Sequence, residues 1–101
     1  MNPDVEDRKM SAQEGKESTA DRKRRLTWQC RRGIKEVEVL LVPFFERYFD
    51  ELTEADQNNF EDFLKEQDAD MFEWFTMRVK PENTVAAAMV DVILSRMAPG
   101  L

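Results

Sequence analysis

The residues best suited to bind another molecule form one short run, Arg31-Arg32-Gly33-Ile34-Lys35-Glu36. Gly33 is expected to end one helix in a left-handed cap, and Glu36 to lie in the first turn of the next helix, where negative charge is favoured. This helix-cap interpretation accounts for the motif without any function. Trp28, however, lies one helical turn before the arginines, and tryptophan with arginine is typical of the centre of a protein interface.

Composition restricts the chemistry that the chain can perform by itself. The chain has 101 residues, no histidine, one cysteine and three glycines. Without histidine there is no Ser-His or Cys-His nucleophile pair and no histidine-ligated metal. One cysteine cannot form an internal disulfide, and three isolated glycines do not form a nucleotide-binding loop. We therefore expect a protein that is not an enzyme, holds no metal and binds no cofactor independently. Cys30 is expected to be a buried structural thiol.

No targeting or membrane-spanning segment is predicted. Asp4, Glu6 and Asp7 lie where a signal peptide requires positive charge. The longest apolar stretch, Val39 to Phe45, contains Pro43 and is far shorter than the ~20 residues that span a bilayer. These features favour a cytoplasmic protein with no membrane insertion.

The first helices follow from apolar spacing and cap residues. Residues 1–20 are predicted to form a disordered tail because they contain no large apolar side chain other than methionine. The first helix is expected to begin at Thr19 or Asp21 and to run to Arg32. The second begins near Ile34, and Pro43 is expected to kink or break it. Its apolar side chains recur at helical spacing: Ile34, Val37, Leu40, Leu41, Phe44, Phe45 and Tyr48.

Three further helices are predicted towards the C-terminus. Thr53 and Asp68 are suitable caps for the third and fourth helices, and Pro81 is expected in the first turn of the fifth. The apolar stripe of the fifth helix is Val85, Met89, Val92, Ile93 and Met97. The predicted fold is all-α, a small bundle of four or five short helices over residues 21–98.

Charge is unevenly distributed along the chain, whose net charge is −6. Residues 22–35 contain seven basic side chains and no acidic one, whereas residues 50–73 contain ten acidic side chains and only Lys65 opposing them. A solvated helix face explains most such runs. A nucleic-acid-binding helical module acting through residues 22–35 is an alternative, although the acidic segment would repel a polyanion. An acidic patch on a protein partner, or a recessed anionic ligand, suits the basic segment better.

Four ordered segments resemble the succinate dehydrogenase FAD-assembly factor family. They are RLTWQCRRGIKE at 25–36, PFFE at 43–46, FDELT at 49–53 and DADMFEWF at 68–75. The family's RGxxE motif corresponds to Arg32, Gly33 and Glu36. The resemblance covers about half of the chain, and the ordered set is more specific than the motif alone.

The resemblance implies a small bacterial five-helix chaperone that binds the flavoprotein subunit of succinate dehydrogenase, and often that of fumarate reductase. Such a factor promotes covalent attachment of FAD to a histidine of that subunit, so FAD belongs to the partner. The implied partner-binding residues are Arg25, Trp28, Arg31, Arg32, Gly33 and Glu36. An antitoxin-like regulator of a partner toxin is a further alternative that the family's annotation attaches to this resemblance.

Overall fold

Residues 17–97, the part of the chain that the computed structural model describes, fold into five α-helices and one short 3₁₀ helix, without any strand. The α-helices are α1 (Thr19–Gln29), α2 (Lys35–Tyr48), α3 (Glu54–Phe63), α4 (Asp68–Phe75) and α5 (Thr84–Met97), and the 3₁₀ helix is Phe49–Glu51. The predicted all-α bundle of four or five short helices is confirmed. Residues 1–16 of the predicted tail lie outside the described range, and its residues 19 and 20 belong to α1.

Side-chain caps set where three of the helices begin. Ser18 and Thr53 each accept a hydrogen bond, at 3.1 Å, from the backbone N–H three residues ahead. Thr53 was predicted, whereas the α1 cap is Ser18 rather than Thr19 or Asp21. Asn83 caps α5 by accepting from the N–H groups two and three residues ahead, at 2.8 and 3.0 Å. Pro81 therefore lies before α5, and its predicted place in the first turn is wrong.

The second helix continues through Pro43 without a break. Proline removes one backbone donor from the helix interior. The side chains of Leu41, Phe44 and Phe45 are buried on both sides of this position, and their burial stabilises the two halves of the helix against the same core. The predicted break is therefore absent.

A cluster of aromatic rings occupies the core between α2 and α3. The ring centroid of Phe60 lies 5.6 Å from that of Phe44, 6.0 Å from Phe45 and 5.8 Å from Phe49. Helix α5 packs against α2, α3 and α4. Its buried face is Ala86, Met89, Val90 and Ile93, while Val85 of the predicted stripe is 47% exposed. No helix within residues 17–97 is both long enough and apolar enough to cross a bilayer.

Candidate functional site

The turn between α1 and α2, residues 30–34, differs from the expected helix cap. Helix α1 ends at Gln29, and Cys30 is its C-cap in the right-handed conformation. Gly33 does not have the positive φ of a left-handed cap. The predicted left-handed cap is therefore wrong, as is the extension of α1 to Arg32. The N–H groups of Arg32 and Gly33 donate to carboxylates of other elements instead of to the last carbonyls of α1.

The Arg32 side chain is directed into the protein, with only 13% of it exposed. Its Nε donates to Asp68 Oδ1 at 2.6 Å. Its Nη1 donates to the carbonyls of Gln29 and Leu64, both at 2.8 Å, and its Nη2 to the carbonyl of Glu66 at 2.7 Å. The guanidinium therefore joins the end of α1 to the α3–α4 connection and to the start of α4.

Asp68 completes this arrangement from the far side of the turn. Its Oδ2 accepts a hydrogen bond from the Gly33 N–H at 2.9 Å, so both of its oxygens are used. Asp68 is the first residue of α4, whose N-cap is Gln67, so its predicted role as the cap is wrong. The Arg32 hydrogen bond, together with that from Gly33, holds the pKa of the Asp68 carboxyl below its usual value.

Gly33 has a spatial function in the turn. A Cβ built at this position would lie 3.3 Å from Asp68 Oδ2, closer than side-chain carbons normally approach an oxygen. The close approach of the carboxylate therefore favours glycine, although the backbone conformation does not require it.

Glu38 holds the turn from the side of α2. Its Oε1 accepts a hydrogen bond from the Arg32 N–H at 2.9 Å. Its Oε2 lies 3.7 Å from the Arg31 Nε. Two consecutive backbone N–H groups of the turn, those of Arg32 and Gly33, are thus bound by carboxylates from α2 and α4. Local sequence signals did not identify Glu38 or Asp68 as part of the site.

Three of the predicted site residues are presented on the surface next to this turn. Trp28 is 71% exposed, and 60% of the Arg31 side chain is exposed. Glu36 is exposed in the first turn of α2, as predicted. We call Trp28, Arg31 and Glu36 the exposed face. An apolar side chain, a cation and a carboxylate in and beside this turn can bind a protein surface of mixed character.

Arg25 lies one turn earlier on α1 and has internal partners. Its Nη2 donates to Glu17 Oε1 at 2.7 Å and to Glu61 Oε2 at 2.9 Å. Hydrogen bonding to Glu17 in particular raises the pKa of the guanidinium. Arg25 is therefore half-buried in an ion-pair network, in contrast to the arginine of the exposed face.

The neighbouring basic residues of α1 are also paired with carboxylates. Arg22 lies 3.1 Å from Glu61, Lys23 lies 2.7 Å from Asp50, and Arg24 lies 2.8 Å from Asp21. The basic and acidic segments of the sequence therefore neutralise each other in part within the folded chain. Less positive charge remains for a polyanion than the sequence run suggested.

Cys30 is buried, as predicted. Burial raises the pKa of its thiol to about 12, so the nucleophilic thiolate is scarce near neutral pH. No group of three His, Cys, Asp or Glu side chains suited to a metal ion occurs within residues 17–97.

Comparison with known proteins gives consistent matches over most of the chain. A family model described as flavinator of succinate dehydrogenase matches residues 24–97. A Vibrio cholerae protein named FAD assembly factor SdhE is 46% identical over 77 residues, covering 76% of this chain and 90% of that protein. A Pseudomonas aeruginosa protein of the same name is 43% identical over 76 residues, covering 75% and 90%. A solution structure of a UPF0350 protein, 44% identical, superposes with a TM-score of 0.66 over 79% of this chain and 85% of that one.

Proposed function

The chain belongs to the flavinator of succinate dehydrogenase family, and we propose that it is an assembly factor for the flavoprotein subunit of succinate dehydrogenase. It binds that subunit in the cytoplasm and promotes covalent attachment of FAD to one of the subunit's histidines. We extend the proposal to the flavoprotein subunit of fumarate reductase. The chain has no histidine, so the histidine that accepts the flavin must belong to the partner, and FAD remains with the partner throughout.

The exposed face is the observation that supports this function best. Trp28 and Arg31 are side chains of the types that contribute most to binding energy at protein interfaces. Both lie in or beside a turn whose backbone is bound by Glu38 and Asp68, so little backbone entropy is lost when a partner binds. The factor then acts by holding the partner in a geometry in which the partner's own histidine reaches the flavin. Arg25 and Gly33 complete the proposed binding region, and Arg32 supports its turn from inside the protein.

The nucleic-acid and antitoxin-like alternatives have less support. Both depend on the basic segment 22–35, whose side chains Arg22 to Arg25 are paired with carboxylates. A protein partner is therefore favoured over a nucleic acid. Binding to DNA or RNA that falls steeply with salt would contradict this assignment. Capture of a partner that is not a flavoprotein would instead support the antitoxin-like alternative.

Glu36→Ala tests the proposed function at the exposed face. We expect covalent flavin in the co-expressed flavoprotein subunit, measured by in-gel fluorescence, to fall by about 10-fold, since a lost charged contact at an interface centre is worth ~1.4 kcal/mol or more. The measurement is made with each flavoprotein subunit separately, which also tests the extension to fumarate reductase.

The matched control is Glu54→Ala, which removes an exposed first-turn glutamate from α3. Both variants lose the same favourable charge near a helix N-terminus, an effect of about 0.3–1 kcal/mol, so their thermal stabilities should be similar. Only Glu36→Ala should reduce flavin attachment. Equal attachment in the two variants would remove Glu36 from the proposed site, and no effect of the wild-type chain on attachment would refute the function itself.

A further inference from the structure

Asp68 makes contacts that the usual roles of a first-turn aspartate do not explain. An aspartate at a helix N-terminus normally accepts from N–H groups of its own helix. Asp68 instead accepts from Arg32 and Gly33, 36 and 35 residues earlier in the chain. The neighbouring acidic residue Asp70 also lies in the first turn of α4 and is exposed. Asp70 can therefore interact with the dipole of α4, while Asp68 forms hydrogen bonds with the distant turn.

The two contacts of Asp68 require both oxygens of an ionised carboxylate. Oδ1 faces the Arg32 Nε at 2.6 Å, and Oδ2 faces the Gly33 N–H at 2.9 Å. An asparagine in the same place has one oxygen and one NH₂ group, so it can satisfy only one of these donors. The other donor would then face an NH₂ group, which is itself a donor.

Arg32 is oriented away from any docking partner by the same contacts. Its guanidinium donates to Asp68 and to three backbone carbonyls, and its side chain is 13% exposed. Releasing it to contact a partner would leave these acceptors, most of them partly buried, without their donor. The exposed Arg31 therefore supplies the cation on the surface.

We infer that Asp68 is a positioning residue of the docking site: with Arg32 it fixes the turn at Gly33 and thereby the placement of Trp28, Arg31 and Glu36. Arg32 acts in this pair from inside the protein and does not contact the partner. This inference rests on the proposed function for its consequence in binding, but the positioning of the turn is a property of the free chain. The two parts are therefore tested separately.

The test compares Asp68→Asn with Asp70→Asn in the full chain. The two substitutions make the same chemical change in the same first turn of α4. In the free protein we expect the amide resonance of Gly33 to shift, and its hydrogen exchange to accelerate, only in Asp68→Asn, because only that variant loses a carboxylate from the turn. Affinity for the flavoprotein subunit, measured at a temperature where both variants are fully folded, should fall by about 10-fold only in Asp68→Asn.

A double variant tests whether Arg32 acts together with Asp68 inside the protein. Lysine at position 32 keeps the charge but cannot reach the same set of acceptors. If Arg32 and Asp68 act as one pair, Arg32→Lys with Asp68→Asn should lose no more affinity than either single variant, about 10-fold instead of the ~100-fold expected for independent contacts. Multiplied losses would show that Arg32 and Asp68 act independently and would overturn their role as one positioning pair.

The remaining outcomes separate this inference from the function on which it rests. Equal Gly33 resonances and equal affinities in Asp68→Asn and Asp70→Asn would refute the positioning role while leaving the assembly function in place. A lower melting temperature alone, with unchanged affinity, would also refute it, since it would show that the pair only stabilises the fold. If the wild-type chain does not bind the flavoprotein subunit, the proposed function fails, and the Gly33 measurements still decide whether Asp68 positions the turn.

Discussion

The turn between α1 and α2 contains a glycine that is not left-handed, whereas the turn after α4 contains a left-handed residue that is not glycine. The first turn is held by side chains of other elements, because Glu38 and Asp68 accept from the N–H groups of Arg32 and Gly33. The second turn is closed by its own backbone. The N–H of Met77 donates to the carbonyl of Trp74 at 3.1 Å, and the N–H of Arg78 donates to that of Glu73 at 3.0 Å.

The difference shows which physical effect determines each turn. The backbone bonds around Met77 are those of a Schellman motif, in which a left-handed residue follows the helix end and glycine is preferred. Met77 has a φ of 64° and is 73% exposed. Gly33 leaves space for a carboxylate instead. The turn that carries the proposed site is therefore fixed by tertiary contacts, whereas the other turn follows from local backbone geometry.

The largest effect expected from this comparison is the loss of the complex in Gly33→Arg. The added side chain must pass Asp68 Oδ2, which lies 3.3 Å from the position of a Cβ, and its charge would then lie among the residues of the exposed face. We expect affinity for the flavoprotein subunit to fall by at least about 100-fold, or ~2.7 kcal/mol. Helical circular dichroism should persist, because Gly33 has no positive φ and its backbone conformation is one that other residues can adopt.

Gly33→Ala is the matched control because it adds only the Cβ. A small displacement of the Asp68 carboxylate accommodates it, so a smaller loss of affinity is expected. Unfolding of Gly33→Arg would show that the close approach of Asp68 to Gly33 is needed for the fold itself. Full affinity in Gly33→Arg would place the docking surface elsewhere on the protein.

Arg32→Ala should produce the largest loss of stability in this turn. The substitution leaves Asp68 and three carbonyls without their donor in a region where the arginine side chain was 13% exposed. Removing one member of such a partly buried pair should cost about 2–4 kcal/mol. For a domain of this size the melting temperature would fall by roughly 10–25 °C. Thermal unfolding followed by circular dichroism measures this change.

The exposed pair Arg24–Asp21 provides the control for Arg32. Its side chains are 69% and 58% exposed, and solvent-exposed pairs of this kind contribute little to stability. Arg24→Ala should therefore leave the melting temperature nearly unchanged. A similar small change in Arg32→Ala would mean that the buried contacts of Arg32 add little to stability.

Helical spacing was sufficient to predict the fold, but the contacts of the site were not predictable from it. The buried side chains Val37, Leu41, Phe44 and Phe45 belong to the predicted stripe of α2. On α5 the buried face is displaced towards Ala86 and Val90. Alanine carries a weak signal, and Val90 is of the same type as the predicted Val85, so side-chain type alone does not choose between them. Such displacements arise from how neighbouring helices pack, which a single helix does not specify.

Local sequence signals did not predict the contacts of Arg32, Gly33 and Asp68 for a different reason. The helix-cap interpretation assumed that the turn would bond to the helix that it ends. The acceptors instead come from α2 and from α4, the latter 35 residues away from Gly33. The pairing of Arg25 with Glu61 is equally distant, so a basic run in the sequence did not predict a basic surface in the fold.

Met77→Gly has the smallest expected effect and tests the second turn of the comparison, the one that follows α4. A left-handed conformation costs a non-glycine residue about 1–2 kcal/mol, and the substitution by glycine removes this cost. Part of the resulting stabilisation is offset because glycine makes the unfolded chain more flexible. We expect a net stabilisation of ~0.5–1 kcal/mol, seen as a rise of a few degrees in melting temperature.

Met77→Ala is the control that separates backbone strain from the side chain, since alanine removes the exposed side chain but keeps the backbone strain. An equal rise in the alanine variant would attribute the gain to removal of the methionine side chain, and no rise in the glycine variant would show that the left-handed conformation costs little here. Because this turn is closed by its own backbone, neither substitution should change the Gly33 amide resonance, whereas Asp68→Asn should.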